Sequence, residues 1–310
     1  MASKSNPRKR IFTILAIIIV VLAVLYLAVC TYAVLEVTKS GDEYREPQLP
    51  HEPTPAEFGV MYEDVRLPAR SDGLEIAGWY IPNEGSQNAV VLVHGRHANM
   101  ATAMSGNLPK FAAALNKAGF TVLMIDVRGH GWSEEARYDF GLKSKNDVLG
   151  AVDWLMGKGF AGGHIGVLGI SLGGGGVNFA AAEEQAIGAV VTDSTYSDIN
   201  PVIEALWQEE SGLPNFFLPG VFLMHQIIFG FDLRDAIPVD AVRVMEPRPV
   251  LVLHCKIDDT VPFSHAEALV EATNADSWYI DDECEHAELY TVKPDEYEAA
   301  VIPFFEENLP

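Results

Sequence analysis

The fold of this 310-residue chain is decided by residues 165–176, which read IGVLGISLGGGG. The apolar run Ile165–Leu168 predicts a buried strand, and a glycine-rich helix start follows it. Between them lies the pattern Gly-x-Ser-x-Gly at 169–173, which lifts the Ser171 hydroxyl above a sheet at a helix N-terminus. A glycine-rich turn that contains a serine by chance is the competing interpretation. The flanking strand and helix favour a nucleophilic serine.

Outward from this stretch, short apolar strands alternate with helical patterns. The alternation predicts an α/β fold with a mostly parallel central sheet and helices on both faces. In such sheets, functional side chains gather at the loops that leave the carboxyl ends of the strands. The predicted strands are Leu74–Ile81, Ala89–Val93, Thr121–Ile125, Ile165–Leu168, Ala189–Thr192, Val250–Leu253 and Trp278–Ile280. The predicted helices include Leu108–Ala118, Ala266–Ala272 and Asp295–Phe305, with a further helical face at Val148, Val152 and Leu155.

A serine nucleophile needs a histidine base and an acid that orients the base. Downstream of Ser171, histidine occurs at 225, 254, 265 and 286. His286 follows the last predicted strand in a polar loop, and we expect it to be the base. Asp258 follows the preceding strand in the sequence Asp258-Asp259-Thr260-Val261-Pro262 and is the expected acid. Asp259, by a one-residue shift, and Asp193, at the end of an earlier strand, remain open alternatives.

An oxyanion hole requires two backbone N–H groups aimed at one point. We expect one from Leu172, directly after the nucleophile. The second is expected from Arg96, in the loop His94-Gly95-Arg96 that follows the strand Ala89–Val93. His94 and His97 are expected to shape this loop, with no role in proton transfer.

With these motifs, the chain resembles the α/β-hydrolase superfamily from about residue 60 to residue 307, in particular its monoglyceride-lipase-like, lysophospholipase-like and serine-aminopeptidase-like branch. Asp126–Ser133 (DVRGHGWS) also matches the family, and the resemblance implies that Asp126 is structural. The serine at the elbow excludes the relatives that carry aspartate there, and implies acyl transfer through an acyl-serine. A serine peptidase or thioesterase with the same residues, or a non-catalytic binding module, are the alternatives.

The predicted strand–helix rhythm is interrupted at about 197–247, where the family usually carries a lid. The segment is rich in Leu, Phe and Ile and has no cluster of like charges. Ordinary lid packing and an apolar funnel for an acyl chain both fit this composition. We therefore expect a lipid or short-acyl ester as substrate.

The N-terminus carries a candidate transmembrane helix. Residues 11–35 contain no charge, and as a helix they extend about 37 Å, enough for a hydrocarbon core of about 30 Å. Lys4, Arg8, Lys9 and Arg10 precede the run, which predicts a cytoplasmic stub at 1–10 and an extracytoplasmic body. A cleaved signal peptide and a lipoprotein signal at Cys30 are the alternatives. A buried core helix is not expected, because nothing is predicted to pack on this segment.

After the anchor, residues 36–58 are rich in proline and charge and predict an extended linker, and residues 59–310 form the predicted hydrolase domain. The net charge of −22 excludes nucleic acid as a partner. It divides into +4 in residues 1–35 and −26 elsewhere, where 17 bases face 43 acids. No cofactor, metal or obligate protein partner is expected.

Cys255 and Cys284 lie close to the predicted acid and base, so they are expected to be neighbours if Asp258 and His286 meet. A disulfide between them and two separate thiols both remain open.

Overall fold

The computed structural model describes residues 7–39, 51–245, 248–273, 276–280 and 283–310, of which 276–280 are described by their backbone pairing. Several sequence positions discussed above lie outside these ranges. They are residues 1–6 of the basic stub, which include Lys4, residues 40–50 of the predicted linker, residues 246–247 at the end of the insertion, and residues 281–282 in the polar loop before His286.

The predicted α/β class is confirmed. The described residues form one eight-stranded sheet in the order β1-β2-β4-β3-β5-β6-β7-β8. The strands β3 to β8 pair in parallel, and β1 and β2 form an antiparallel edge beside β4. The bounds are β1 Glu63–Pro68, β2 Glu75–Ile81, β3 Ala89–Val93, β4 Thr121–Ile125, β5 Ile165–Ile170, β6 Ile187–Asp193, β7 Val250–Cys255 and β8 Asp276–Ile280.

Eleven α-helices lie within the described part of the chain. They are α1 Pro7–Val37, α2 Ala103–Gly106, α3 Leu108–Lys117, α4 Lys145–Gly157, α5 Leu172–Glu183, α6 Ile199–Ser211, α7 Leu218–Phe229, α8 Pro238–Arg243, α9 Ser264–Thr273, α10 Leu289–Val292 and α11 Pro294–Asn308. Short 3-10 helices add Pro55–Phe58, Asn215–Phe217 and Leu233–Asp235.

The central strands are buried on both faces, as their continuous apolar sequence predicts. Along β3, Val90 and Leu92 face one core with side chains of α3, α10 and α11. Val91 and Val93 face a second core with α4, α5, α8 and α9. Helices therefore cover both sides of the sheet, and the carboxyl ends of the parallel strands lie along one edge.

Two local features differ from the sequence prediction. Strand β1 was not anticipated, because Leu67 alone of its residues is buried and the apolar alternation is faint. The end of the predicted linker, 51–58, is not an extended spacer: His51 is buried with its ring nitrogen 2.9 Å from an Asp126 carboxylate oxygen, and Pro55–Phe58 forms a 3-10 helix. Proline is compatible with that helix because it occupies the first turn, where no N–H acceptor is needed.

The described chain divides into two compact units. One comprises residues 51–202 and 235–310, which hold the sheet. The other comprises residues 7–39 and 203–234, which hold α1, most of α6 and α7.

In the second unit, α1 is long and apolar enough to span a membrane, with a mean hydropathy of 3.1 in its most apolar window. The expectation that nothing packs on this segment is wrong for its C-terminal part, where Cys30, Ala33 and Val34 are buried and α1 contacts α7. Hydropathy does not distinguish a lipid-facing side chain from one facing another helix, so this contact could not be predicted from the hydropathy of α1.

Candidate active site

Ser171 occupies a strained turn at the carboxyl end of β5. Its backbone has φ 51° and ψ −114°, a conformation that costs about 1–3 kcal/mol and persists only where the surroundings enforce it. Close packing explains the glycine two residues later: a Cβ on Gly173 would lie 2.6 Å from the Val93 carbonyl oxygen and 2.5 Å from that of His94. The turn points the Ser171 side chain away from β5 at the start of α5.

The three residues predicted as a triad are brought together. The Ser171 hydroxyl lies 2.9 Å from His286 Nε2, and His286 Nδ1 lies 2.7 Å from Asp258 Oδ2. A carboxylate accepts hydrogen bonds, so Nδ1 carries the proton and Nε2 presents its lone pair to the serine O–H. This is the arrangement that lets an imidazole act as a base toward a serine.

Backbone donors hold Asp258 in this position. Its Oδ1 accepts hydrogen bonds from the N–H groups of Thr260, at 3.0 Å, and Val261, at 2.7 Å. The Asp258 side chain is buried, whereas that of His286 is 22% exposed. Asp259, the alternative by a one-residue shift, is exposed and makes no contact with His286 in the described structure.

Asp193, the other alternative acid, is connected to the His286 loop only indirectly, through the Ser194 hydroxyl. Its carboxylate accepts hydrogen bonds from the hydroxyls of Ser194, at 3.0 Å, and Tyr297, at 3.2 Å. The Ser194 hydroxyl in turn accepts the Ala287 N–H at 3.0 Å, next to His286. Burial raises the pKa of Asp193 to about 7, against which the two hydroxyl hydrogen bonds act. Asp193 therefore supports the backbone beside the histidine and does not contact its ring.

The loop predicted to complete an oxyanion hole lies against the elbow. A Cβ on Gly95 would be 3.2 Å from the Ser171 Cβ, so the backbone leading to Arg96 runs beside Ser171. On the other side, Leu172 is the first residue of α5, where backbone N–H groups have no acceptor within the helix.

His94 fixes the orientation of this loop. Its Nε2 accepts the Val127 N–H at 3.0 Å, so Nδ1 carries the proton and donates to the Gly95 carbonyl at 2.7 Å. The Gly95 carbonyl and the Arg96 N–H belong to one planar peptide and point in opposite directions. Burial lowers the pKa of His94, which keeps the ring neutral in this tautomer. His94 therefore orients the Gly95–Arg96 peptide through these two hydrogen bonds.

Asp126 lies beneath this loop as a buried structural carboxylate. Its oxygens accept the N–H groups of Met100, at 2.8 Å, and Trp132, at 2.9 Å. His51 contacts the same carboxylate and stacks on the Trp132 ring, with centroids 3.8 Å apart. Sequence reasoning missed His51, since a lone histidine among prolines carries no periodic signal.

A disulfide joins the loops that carry Asp258 and His286. Cys255 and Cys284 are bonded, with Cα atoms 5.8 Å apart. Cys255 ends β7 three residues before Asp258, and Cys284 precedes His286 by two residues. The bond therefore ties the Asp258 loop to the His286 loop, which resolves the alternative left open by the sequence.

The remaining downstream histidines have structural contacts. Buried His254 has its Nε2 2.7 Å from the Val261 carbonyl oxygen, and His265 Nδ1 lies 2.9 Å from the Ser197 hydroxyl. His225 Nδ1 lies 3.0 Å from the Phe231 carbonyl oxygen. Across the described ranges, no group of three or more His, Cys, Asp and Glu side chains is arranged to hold a metal ion.

Comparison with known proteins agrees with this fold. The family model described as "alpha/beta hydrolase fold" matches residues 88–222. Among curated proteins, the uncharacterized protein YqkD of Bacillus subtilis is 26% identical over 76% of both chains. The uncharacterized protein YfhR of Salmonella typhi is 29% identical over 78% of both chains. Among solved structures, the esterase Pf2001 of Pyrococcus furiosus superposes with a TM-score of 0.68 at 21% identity, covering 85% of this chain and 99% of that one.

Fold and site together define an α/β protein with a serine at a strand–helix elbow, a histidine in contact with it and an aspartate behind the histidine. The chain has the α/β-hydrolase fold.

Proposed function

We propose that the protein is a membrane-anchored serine hydrolase that cleaves carboxylic esters through an acyl-serine intermediate. The observation that carries the proposal is the continuous contact from Ser171 through His286 to Asp258. A serine hydroxyl is a weak nucleophile by itself, and this arrangement supplies the base and the orienting acid that it needs.

In the first half of the reaction, Ser171 Oγ attacks the ester carbonyl carbon while His286 Nε2 takes the hydroxyl proton. The carbonyl π electrons move to the oxygen, which the N–H groups of Leu172 and Arg96 stabilise. When the tetrahedral intermediate collapses, the C–O bond to the leaving group breaks, and the imidazolium returns the proton to the departing alkoxide. Asp258 stabilises the imidazolium without becoming protonated.

In the second half, water replaces the alcohol. His286 accepts a proton from the water as its oxygen bonds to the acyl carbon, and then returns the proton to Ser171 Oγ as the acid is released. Each oxyanion donor contributes about 3–4 kcal/mol of transition-state stabilisation in enzymes of this kind.

The proposed substrate class rests on the composition of the insertion between β6 and β7. Within the insertion after β6, residues 211–231 are mostly apolar and contain no Asp, Glu, Lys or Arg. An acyl ester fits this composition better than a charged peptide terminus. The solved structure of the Pyrococcus furiosus esterase, a protein of the same fold, is consistent with ester chemistry.

The anchor and its orientation are part of the proposal. Helix α1 is long enough to cross a bilayer, and the bases at its N-terminal end favour a cytoplasmic N-terminus. The Cys255–Cys284 disulfide supports a body on the opposite, oxidising side. Packing of α1 on α7 favours a retained helix over a cleaved signal, because cleavage would expose the buried side of α7.

The test is turnover by the full chain in detergent or vesicles, measured on esters with acyl chains from C2 to C16 and on aminoacyl amides. We expect ester hydrolysis that the Ser171→Ala variant abolishes. Cleavage of the amides with no ester turnover would instead indicate a peptidase. For orientation, protease added outside intact cells should remove the body, and protection of the body would refute the proposed topology.

A further inference from the structure

Helix α7 presents an apolar face that no described residue covers. The side chains of Leu223 and Ile227 are 48% and 65% exposed, and their spacing of four residues places them on one side of the helix. From Ser211 to Phe231 there is no Asp, Glu, Lys or Arg. The first charges beyond this stretch, Asp232 and Arg234, bond to each other at 2.9 Å.

The N-terminal end of α7, together with the 3-10 turn that precedes it, packs on α1 within the same compact unit. The Tyr26 hydroxyl donates to the Phe216 carbonyl at 2.9 Å, and the Tyr26 and Phe217 rings stack with centroids 5.3 Å apart. At Gly220 the two helices approach so closely that a Cβ would lie 2.5 Å from the Cys30 sulfur. Small residues at such crossings are typical of helices that associate within a membrane.

The position of Tyr26 along α1 gives the expected depth of the α1–α7 contact in the bilayer. Tyr26 follows Arg10 by 16 residues, which is about 24 Å along a helix axis. If Arg10 lies at the cytoplasmic interface, Tyr26 lies inside a hydrocarbon core of about 30 Å, in its outer half. The start of α7, which contacts Tyr26, shares that depth.

We propose that α7 is an intramembrane helix, embedded in the extracytoplasmic leaflet beside α1, with Leu223 and Ile227 in contact with lipid acyl chains. The inference rests on the proposed anchoring by α1. The occupant of the face is bilayer lipid, because the lipid that surrounds the exposed apolar side of α1 is continuous with the exposed side of α7. The helical backbone satisfies its own polar groups, as residence in a membrane requires.

The placement of α7 in the bilayer narrows the substrate class of the proposed esterase. The segment that reaches the bilayer is inserted between β6 and β7, the strands whose carboxyl ends bear Asp193 and lead to Asp258. With this segment in the bilayer, the substrates that the proposal favours are esters of membrane-resident lipids.

The experiment is spin-label accessibility on the full chain in phosphatidylcholine vesicles, without reductant so that the disulfide stays closed. Nitroxide labels are attached at Leu223→Cys and Ile227→Cys, with Ile18→Cys in α1 as the lipid reference. Met156→Cys in the sheet unit, where the native side chain is 43% exposed, is the water reference. The wild-type chain, whose unpaired Cys30 is buried, gives the labelling blank.

We expect labels at 223 and 227 to be relaxed by oxygen and shielded from a water-soluble nickel chelate, as at Ile18 and unlike Met156. Nickel access at 223 and 227 equal to that at 156, with Ile18 shielded, would overturn the inference and leave the anchor intact. Nickel access at Ile18 would refute the anchor itself. Dipolar broadening between labelled chains at 227 would identify a second copy as the occupant and would also overturn the inference. Ester turnover in the same vesicles reports separately on the serine chemistry.

Discussion

Opening the Cys255–Cys284 disulfide should cost both stability and activity. The bond spans 29 residues, and the chain-entropy relation for a loop of that length gives about 3.6 kcal/mol at 25 °C. For a domain of this size the loss corresponds to a fall of about 7–14 °C in the melting temperature. Since the bond ties together the loops of Asp258 and His286, turnover should fall even at temperatures where the protein stays folded.

The assay compares the wild-type chain with the double variant Cys255→Ala/Cys284→Ala, each with and without a reductant, by thermal unfolding and by ester turnover. Reductant should lower the melting temperature and kcat of the wild type toward those of the variant and leave the variant unchanged. If the double variant melts within about 2 °C of the oxidised wild type, the cross-link does not constrain the chain as argued here.

Three further predictions follow from the site and the membrane surface. His94→Ala should lower kcat by about 10- to 100-fold with little change in KM, because the Gly95–Arg96 peptide loses its orienting donor; an unchanged kcat would contradict that role. The free energy of unfolding of the Asp193→Asn variant should rise relative to that of the wild type as pH rises. The wild-type carboxyl, with its pKa raised to about 7, favours the fold when protonated, and this contribution is lost as pH rises from about 4 through 7, by about 2 kcal/mol between pH 5 and 7. Thermal unfolding at both pH values measures it, and a difference between variant and wild type that is independent of pH would refute it. Leu223→Asp should weaken insertion of α7 by up to about 3 kcal/mol and raise nickel access at Ile227→Cys, and unaltered accessibility would count against lipid contact.

The sequence predicts the sheet and its catalytic edge well because these features are local. Buried parallel strands such as Ala89–Val93 are continuous apolar runs, and the elbow at Ser171 is a pattern that few other structures require. The chain order of the strands then brings Asp258 and His286 to the same edge, so their meeting could be predicted without coordinates.

Other features could not be predicted because they depend on contacts between distant residues. Nothing local marks His51 as the partner of Asp126, or Ser194 as the link between Asp193 and the Ala287 N–H. The packing of α7 on α1 could not be predicted, because an apolar side chain has the same hydropathy whether it faces lipid or protein.

The hydrogen bonds of the three candidate acids distinguish them, whereas their sequence positions do not. Asp193, Asp258 and Asp259 all follow strands at the catalytic edge, and sequence spacing ranks them without separating them. The hydrogen bonds of Asp258 to Thr260 and Val261 aim its free oxygen at His286, whereas Asp193 is occupied by two hydroxyls.

The most direct test of the central claim is to trap the acyl-enzyme. The full chain is mixed with an activated ester that deacylates slowly, and the intact mass and tryptic peptides are measured after quenching in acid. We predict a mass increase of one acyl group, located on Ser171, which disappears in Ser171→Ala and forms far more slowly in His286→Ala. Ester turnover with no acyl group on Ser171, or acylation that survives Ser171→Ala, would contradict the account.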